Sequence, residues 1–322
     1  MIKAIHADYV QKMYNFTHKP HKKCENIKTI KNLILFFILP ALFSCNPASN
    51  RKQTAAKEEK ANYRLELIWE SDTLLRTPES VLFDRKRDIL YVSNVNMNPW
   101  EKDGNGFISK MDLAGNITEL KWIEGLNGPK GMGLSGNSLF IADIDALVEA
   151  DIETGQIINK IELEGQPQLN DITVSANGTV FVSGSGSNTV YQLKDGALKG
   201  IFTGEEGERF NGLYWEKDRM LFITSASSLL RELIHETGKV NILAENMGHG
   251  DAIAPVGDAA YIATSWSGKV FYVSENGDVT TLLDTEAVNE NAADADFCID
   301  EQILYLPTFF KNQVKAYKLV SF

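Results

Sequence analysis

A repeat of about 40 residues constrains this chain more than any other feature. Six segments share one form: a polar or acidic entrance, a short apolar strand, a turn, a stronger apolar strand, then two more strands. They begin "PESVLFDRKRDILYVSN", "PKGMGLSGNSLFIAD", "LNDITVSANGTVFVSG", "FNGLYWEKDRMLFITS", "GDAIAPVGDAAYIAT" and "ADFCIDEQILYLPT". The entrances fall at Glu79, Lys130, Asn170, Asn211, Asp251 and Ala295, at spacings of 51, 40, 41, 40 and 44. Helical periodicity is almost absent after residue 62, and short alternating runs are divided by Gly, Asn and Asp turns. A four-stranded repeat of this length is the period of a propeller blade. The expected fold is therefore all-β, a six-bladed β-propeller of four-stranded antiparallel blades over residues 63–322.

The long first spacing reflects a loop, "NVNMNPWEKDGNGF". The last repeat shows three strands before Phe322, while "YRLELIWE" (63–70) is an orphan strand ahead of the first entrance. Joining the two completes the sixth blade and closes the ring, which removes two open sheet edges.

The entrances also answer a local puzzle. Asn170 and Asp171 are poor strand formers placed directly before a strand. In a propeller the first strand of each blade lines the central channel, so a residue just before it sits at the channel mouth. Six such residues form a ring. Glu79 and Asp251 bring carboxylates to it, and Asn170 and Asn211 bring amide oxygens. Such a set suits a hard divalent cation, calcium above all, with magnesium or manganese as the alternatives. Any one Asn or Asp is accounted for equally well by turn chemistry, but Glu79 is not. Lys130 is the one cation of the ring. It is a catalytic candidate for holding a substrate carboxylate or an oxyanion, or else a partner in a channel salt bridge with Glu79 or Asp296. His249 is a candidate base, with an ordinary loop histidine as the alternative. Asp294 and Asp296 are placed to offer a carboxylate to the mouth, and Asp296 joins Lys130 and His249 as a catalytic candidate. Trp100, Trp215 and Trp266 are core residues or pocket walls. Cys298 lies on an alternating segment and reads as a buried structural thiol.

Over residues 64–322 the pattern resembles the family of senescence marker protein (regucalcin) and gluconolactonase. "PESVLFD" resembles that family's Glu-bearing motif, "LNDITVSANGTVFVS" and "NGLYWEKDRMLFIT" its two Asn motifs, and "GDAIAPVGDAAYIA" its Asp motif. The resemblance implies Glu79, Asn170, Asn211 and Asp251 as metal ligands, and hydrolysis of a lactone or related ester. Paraoxonases and diisopropylfluorophosphatase use a similar Glu, Asn, Asn, Asp set. Sugar-lactonase members tend to carry Arg two residues before the first Asn, where this chain has Gln168, so a sugar acid lactone is not the expected substrate. The competing expectation is a non-catalytic propeller that binds a ligand or protein around a structural ion.

The first 44 residues carry seven Lys against Asp8 and Glu25, leaving −16 for the rest of a chain whose formal charge is −11. So acidic a body disfavours nucleic acid as a partner. "KTIKNLILFFILPALFSCN" has the form of a signal h-region ending in a lipobox-like Leu42-Phe43-Ser44-Cys45. Residues 1–44 read as a lipoprotein signal peptide, with Met13 as an alternative start. Residues 45–62 read as a flexible tether lipidated at Cys45. The expected location is the bacterial cell envelope, periplasmic or at the surface. A monomer acting on a small-molecule substrate is expected.

Overall fold

The computed structural model describes residues 62–322, Asp258 excepted. The signal segment, Cys45 and nearly all of the tether lie outside the described residues.

Six four-stranded antiparallel sheets are arranged in sequence order, as a six-bladed propeller. Their inner strands are Pro78–Asp84, Pro129–Ser135, Leu169–Val174, Phe210–Glu216, Gly250–Gly257 and Asp296–Cys298. The sixth blade is composite. Tyr63–Glu70 pairs antiparallel with Val314–Ser321, from Tyr63 opposite Ser321 to Glu70 opposite Lys315, and supplies the outermost strand. The closure expected from strand counting is therefore present.

Each sheet is apolar on both faces, because each face is covered by a neighbour. Second strands such as Ala260–Ser265 are buried throughout, whereas outer strands such as Ile157–Glu162 are largely exposed. Six separate apolar clusters result, one per blade interface. Cys298 packs in the cluster between the sixth and first blades, with Val81, Val92 and Tyr305, as expected of a structural thiol.

The closing strand is held by the same device that joins the first and second blades. Trp122, on the outer strand of the first blade, lies over the turn glycine Gly155 of the second, where a Cβ would stand 2.7 Å from the indole. Trp69, on the closing strand, lies in the same way over Gly115 of the first blade, where a Cβ would meet its ring at 2.6 Å. Trp69 Nε1 also donates to Leu113 O (3.0 Å). On its other side, Tyr63 stacks on Tyr272 of the fifth blade with ring centroids 4.5 Å apart.

Gly115 has φ +89° and Gly136, with open space around it, has φ +63°. Gly136→Ala should cost about 1 kcal/mol for its backbone alone. Gly115→Ala should cost about 2–4 kcal/mol, because it also displaces Trp69. Chemical denaturation of the two variants checks this; equal losses would show that Trp69 plays no part in closure.

Candidate functional site

Five of the six inner strands begin with a β-bulge. In the first five blades the register slips immediately after Pro78, Pro129, Leu169, Phe210 and Gly250, so one extra residue is accommodated there. The next residues are Glu79, Lys130, Asn170, Asn211 and Asp251. A bulge re-aims side chains, and the sequence supports this one locally. The amides just past the ring residue in the first, third and fifth blades are those of Ser80, Asp171 and Ala252. They donate to hydroxyls on the second strands: Ser93 (2.9 Å), Ser183 (2.9 Å) and Thr264 (2.8 Å).

The same register corrects the sixth position. Ala293 N donates to Pro307 O (3.1 Å) and Asp296 pairs with Tyr305, so Ala293 corresponds to Pro78 and the sixth ring residue is Asp294, not Ala295. Ala295 is instead part of the apolar cluster between the fifth and sixth blades. Asp296 lies two residues further on, at the start of the inner strand. Its Oδ2 accepts from Phe83 N (2.9 Å) and its Oδ1 from Phe297 N (2.7 Å). Oδ2 thus latches the sixth blade to the first, while Oδ1 caps the amide of its own strand. Asp171 is a similar latch, accepting from Ile172 N and Leu213 N (2.6 Å each).

Lys130 is 1% exposed. Its ammonium donates to Pro99 O (2.9 Å) and Gly128 O (3.2 Å) and sits 4.3 Å from the centre of the Trp100 ring. Neither expected ion pair, with Glu79 or Asp296, forms at contact distance. The ammonium instead fastens the long loop 95–105 of the first blade over the mouth. Trp215 is core, stacked on Phe181 at 4.7 Å, whereas Trp266 stands at the mouth beside His249, whose carbonyl accepts its amide (2.8 Å).

Glu79, Asn170, Asn211 and Asp251 are all buried. Glu79 Oε2, Asn211 Oδ1 and Asp251 Oδ2 are buried oxygens, from three different blades, that receive no hydrogen bond. Asn211 Nδ2 donates to Asp251 Oδ1 (2.7 Å) and Asn170 Nδ2 to Ser185 Oγ (3.0 Å), which fixes where both amide oxygens point. Buried acceptors are almost always satisfied, so three orphans in one ring are an exception that a bound cation would relieve. Among the described residues no group of three or more His, Cys, Asp or Glu side chains forms a metal cluster. A cation here would rest on a mixed carboxylate and amide set, all oxygen.

A second tier lies two residues before the ring: Thr77, Gly128, Gln168, Arg209, His249 and Ala292. Thr77, Gln168 and Arg209 have left-handed φ of 45°, 49° and 55°. Each carbonyl is clamped by its own blade, from Val95 N (3.2 Å), Ser185 N (2.9 Å) and Ser225 N (3.0 Å). His249 Nδ1 lies 3.1 Å from Ser225 O. A carbonyl only accepts, so Nδ1 carries a proton and Nε2 of the neutral ring keeps its lone pair.

Burial pushes the Glu79 carboxyl up to about 8, with Lys130 opposing the shift and Asp251 adding to it. Burial pushes Asp251 up to about 7 against its hydrogen bond from Asn211, and Asp171 up to about 7 against its two backbone amides. Asp294 is raised by burial and then by the charges of Asp171 and Glu79. Asp296 is raised by burial against its two backbone amides.

The chain matches no protein-family model and no curated protein. Among solved structures, its fold is similar to that of a gluconolactonase from Xanthomonas campestris (TM-score 0.60, 15% identity, covering 81% of this chain and 90% of that one). It is similar to a virginiamycin B lyase from Staphylococcus aureus (0.58, 12%, 80% and 100%). It is also similar to an auxiliary nutrient binding protein from Bacteroides thetaiotaomicron (0.62, 10%, 81% and 77%). At these identities the likeness is one of fold.

A carboxyl whose folded pKa exceeds its unfolded value holds its proton more tightly when folded. Its contribution to stability is full below about pH 4 and is lost as the pH rises through the folded value. Lys130, lowered by burial, acts the other way, one group against several. Metal-free protein should therefore lose melting temperature between about pH 5 and pH 9, and Glu79→Gln should flatten that slope. A pH-independent melting temperature in the unsubstituted protein would refute the raised carboxyls.

Proposed function

We propose that this protein is a divalent-cation-dependent hydrolase of a lactone or related ester, with calcium the preferred ion. The observation that carries the reading is the set of three orphaned oxygens on Glu79, Asn211 and Asp251. The residues that would hold the ion are Glu79, Asn170, Asn211 and Asp251. Two carboxylates balance a divalent charge, and two amides add ligands without further repulsion. When bound, the ion supplies Lewis-acid polarisation of the substrate carbonyl.

The chain's own residues divide the remaining work. His249 keeps Nε2 as a proton acceptor through its Nδ1 contact with Ser225 O. Lys130 lowers the negative potential of the ring from beneath the loop it fastens. Asp171 and Asp296 hold adjacent inner strands together, so the ring cannot spread. The presence of a gluconolactonase among the similar folds supports the reading. Attachment to the cell envelope through Cys45 belongs to the same proposal.

The second reading, a propeller that binds a ligand without turning it over, is favoured by the likeness to the nutrient binding protein. Calorimetric titration separates the parts. Calcium should bind saturably to the metal-stripped protein, more tightly at pH 8 than at pH 6 because the ring carboxyls must ionise, and Asp251→Ala should abolish binding. Silence with calcium, magnesium and manganese would sink the metal reading. On a lactone panel, His249→Gln should lower kcat by about 100-fold or more with calcium affinity unchanged. Absence of turnover on every lactone, with calcium bound, would leave the binding reading.

A further inference from the structure

Seven arginines lie among the described residues. Arg64, Arg85, Arg87, Arg219 and Arg231 are in ion pairs, and Arg76 caps backbone carbonyls near Thr73. Arg209 has neither. Its guanidinium makes one long hydrogen bond, from Nη1 to Gln168 Oε1 (3.3 Å). In a chain with 43 acidic residues against 32 basic ones, a half-buried guanidinium with no carboxylate partner is unusual and costs stability.

The backbone beneath it is held firmly. Arg209 N donates to Asn188 Oδ1 (2.6 Å), its carbonyl accepts from Ser225 N, and φ is +55°. Non-glycine residues persist in that region only where their surroundings over-determine them. Two residues later comes Asn211, on the ring. On either side in the second tier stand Gln168 and His249, the latter sharing Ser225 with Arg209. The third to fifth blades thus present an arc of hydrogen-bonding side chains. The opposite arc offers no comparable donors: Ala292 is buried in the cluster between the fifth and sixth blades, Gly128 lies beneath Pro99, and Thr77 is the remaining member.

We infer that Arg209 is the receptor for a single carboxylate on the substrate. The planar fork of guanidinium donors matches a carboxylate bidentately. One guanidinium above a ring containing Glu79, Asp251 and Asp294 balances one negative charge, which disfavours a phosphate dianion. The substrate class is therefore a lactone or ester carrying one carboxylate away from the scissile carbonyl. The word "substrate" rests on the hydrolase reading; the carboxylate receptor itself does not.

The test is calorimetry with 3-phenylpropionate and its amide, titrated into the purified protein with and without calcium, beside Arg209→Gln. The acid should bind more tightly than the amide in both metal states. Arg209→Gln should weaken the acid by about tenfold to a hundredfold, leave the amide unchanged, and leave the melting temperature equal or higher. Acid binding that requires calcium and ignores Arg209→Gln would place the anion on the ion, overturning this inference while leaving the metal reading intact. No binding of the acid up to about 10 mM, or loss of both probes with a lowered melting temperature, overturns it as well. Arg209-dependent binding in a protein that takes up no cation would uphold it and sink the metal reading.

Discussion

A sheet that is apolar on both faces must be covered on both, and a row of such sheets leaves two bare faces unless it bends into a ring. Everything in this molecule follows from meeting that requirement with six sheets. The pairing of Tyr63–Glu70 with Val314–Ser321 makes the sixth sheet complete, and Trp69 and Tyr63 then seat it against its two neighbours. Once the ring is closed, six inner strands start around one narrow opening. Whatever residue type the sequence places there is forced into the company of the other five.

That crowding explains the electrostatics. Carboxylates on separate blades would each find water if the blades stood alone. Once they are brought together, loss of water first and one another's charges second raise Glu79, Asp251, Asp171 and Asp294 above the ordinary carboxylate range. Two devices contain the strain. Backbone amides neutralise Asp171 and Asp296 across blade junctions, and Lys130 lies close enough to Glu79 and Asp251 to favour their charged forms. What remains uncompensated is the trio of bare oxygens.

Much of this was legible in the sequence because the repeat is regular where it matters. The strands, their number and the closing segment follow from alternation and spacing alone. Glu79 stood out because no turn asks for a glutamate. Reading failed where the backbone departs from even counting. The sixth inner strand is only three residues long and its bulge precedes it, so spacing placed Ala295 where register places Asp294. Lys130 was visible as a cation at the mouth, but its partners are carbonyls of a loop and of its own approach strand, and carbonyls carry no residue identity. Arg209 was missed for a related reason: what sets it apart is the lack of an acid beside it, and the side chain that its guanidinium reaches, Gln168, is 41 residues away.

Closure by pairing the two ends of the propeller has one more consequence. Tyr63 faces Ser321 across a hydrogen-bonded ladder, and Phe322 N donates to Asn62 O at 3.0 Å. The two ends are thus about one strand spacing apart. Topologically the ring has no first blade. A short linker across that gap would make the backbone continuous, and a new opening at the exposed turn between Asp195 and Ala197 would give a protein with the same channel mouth read in a different order.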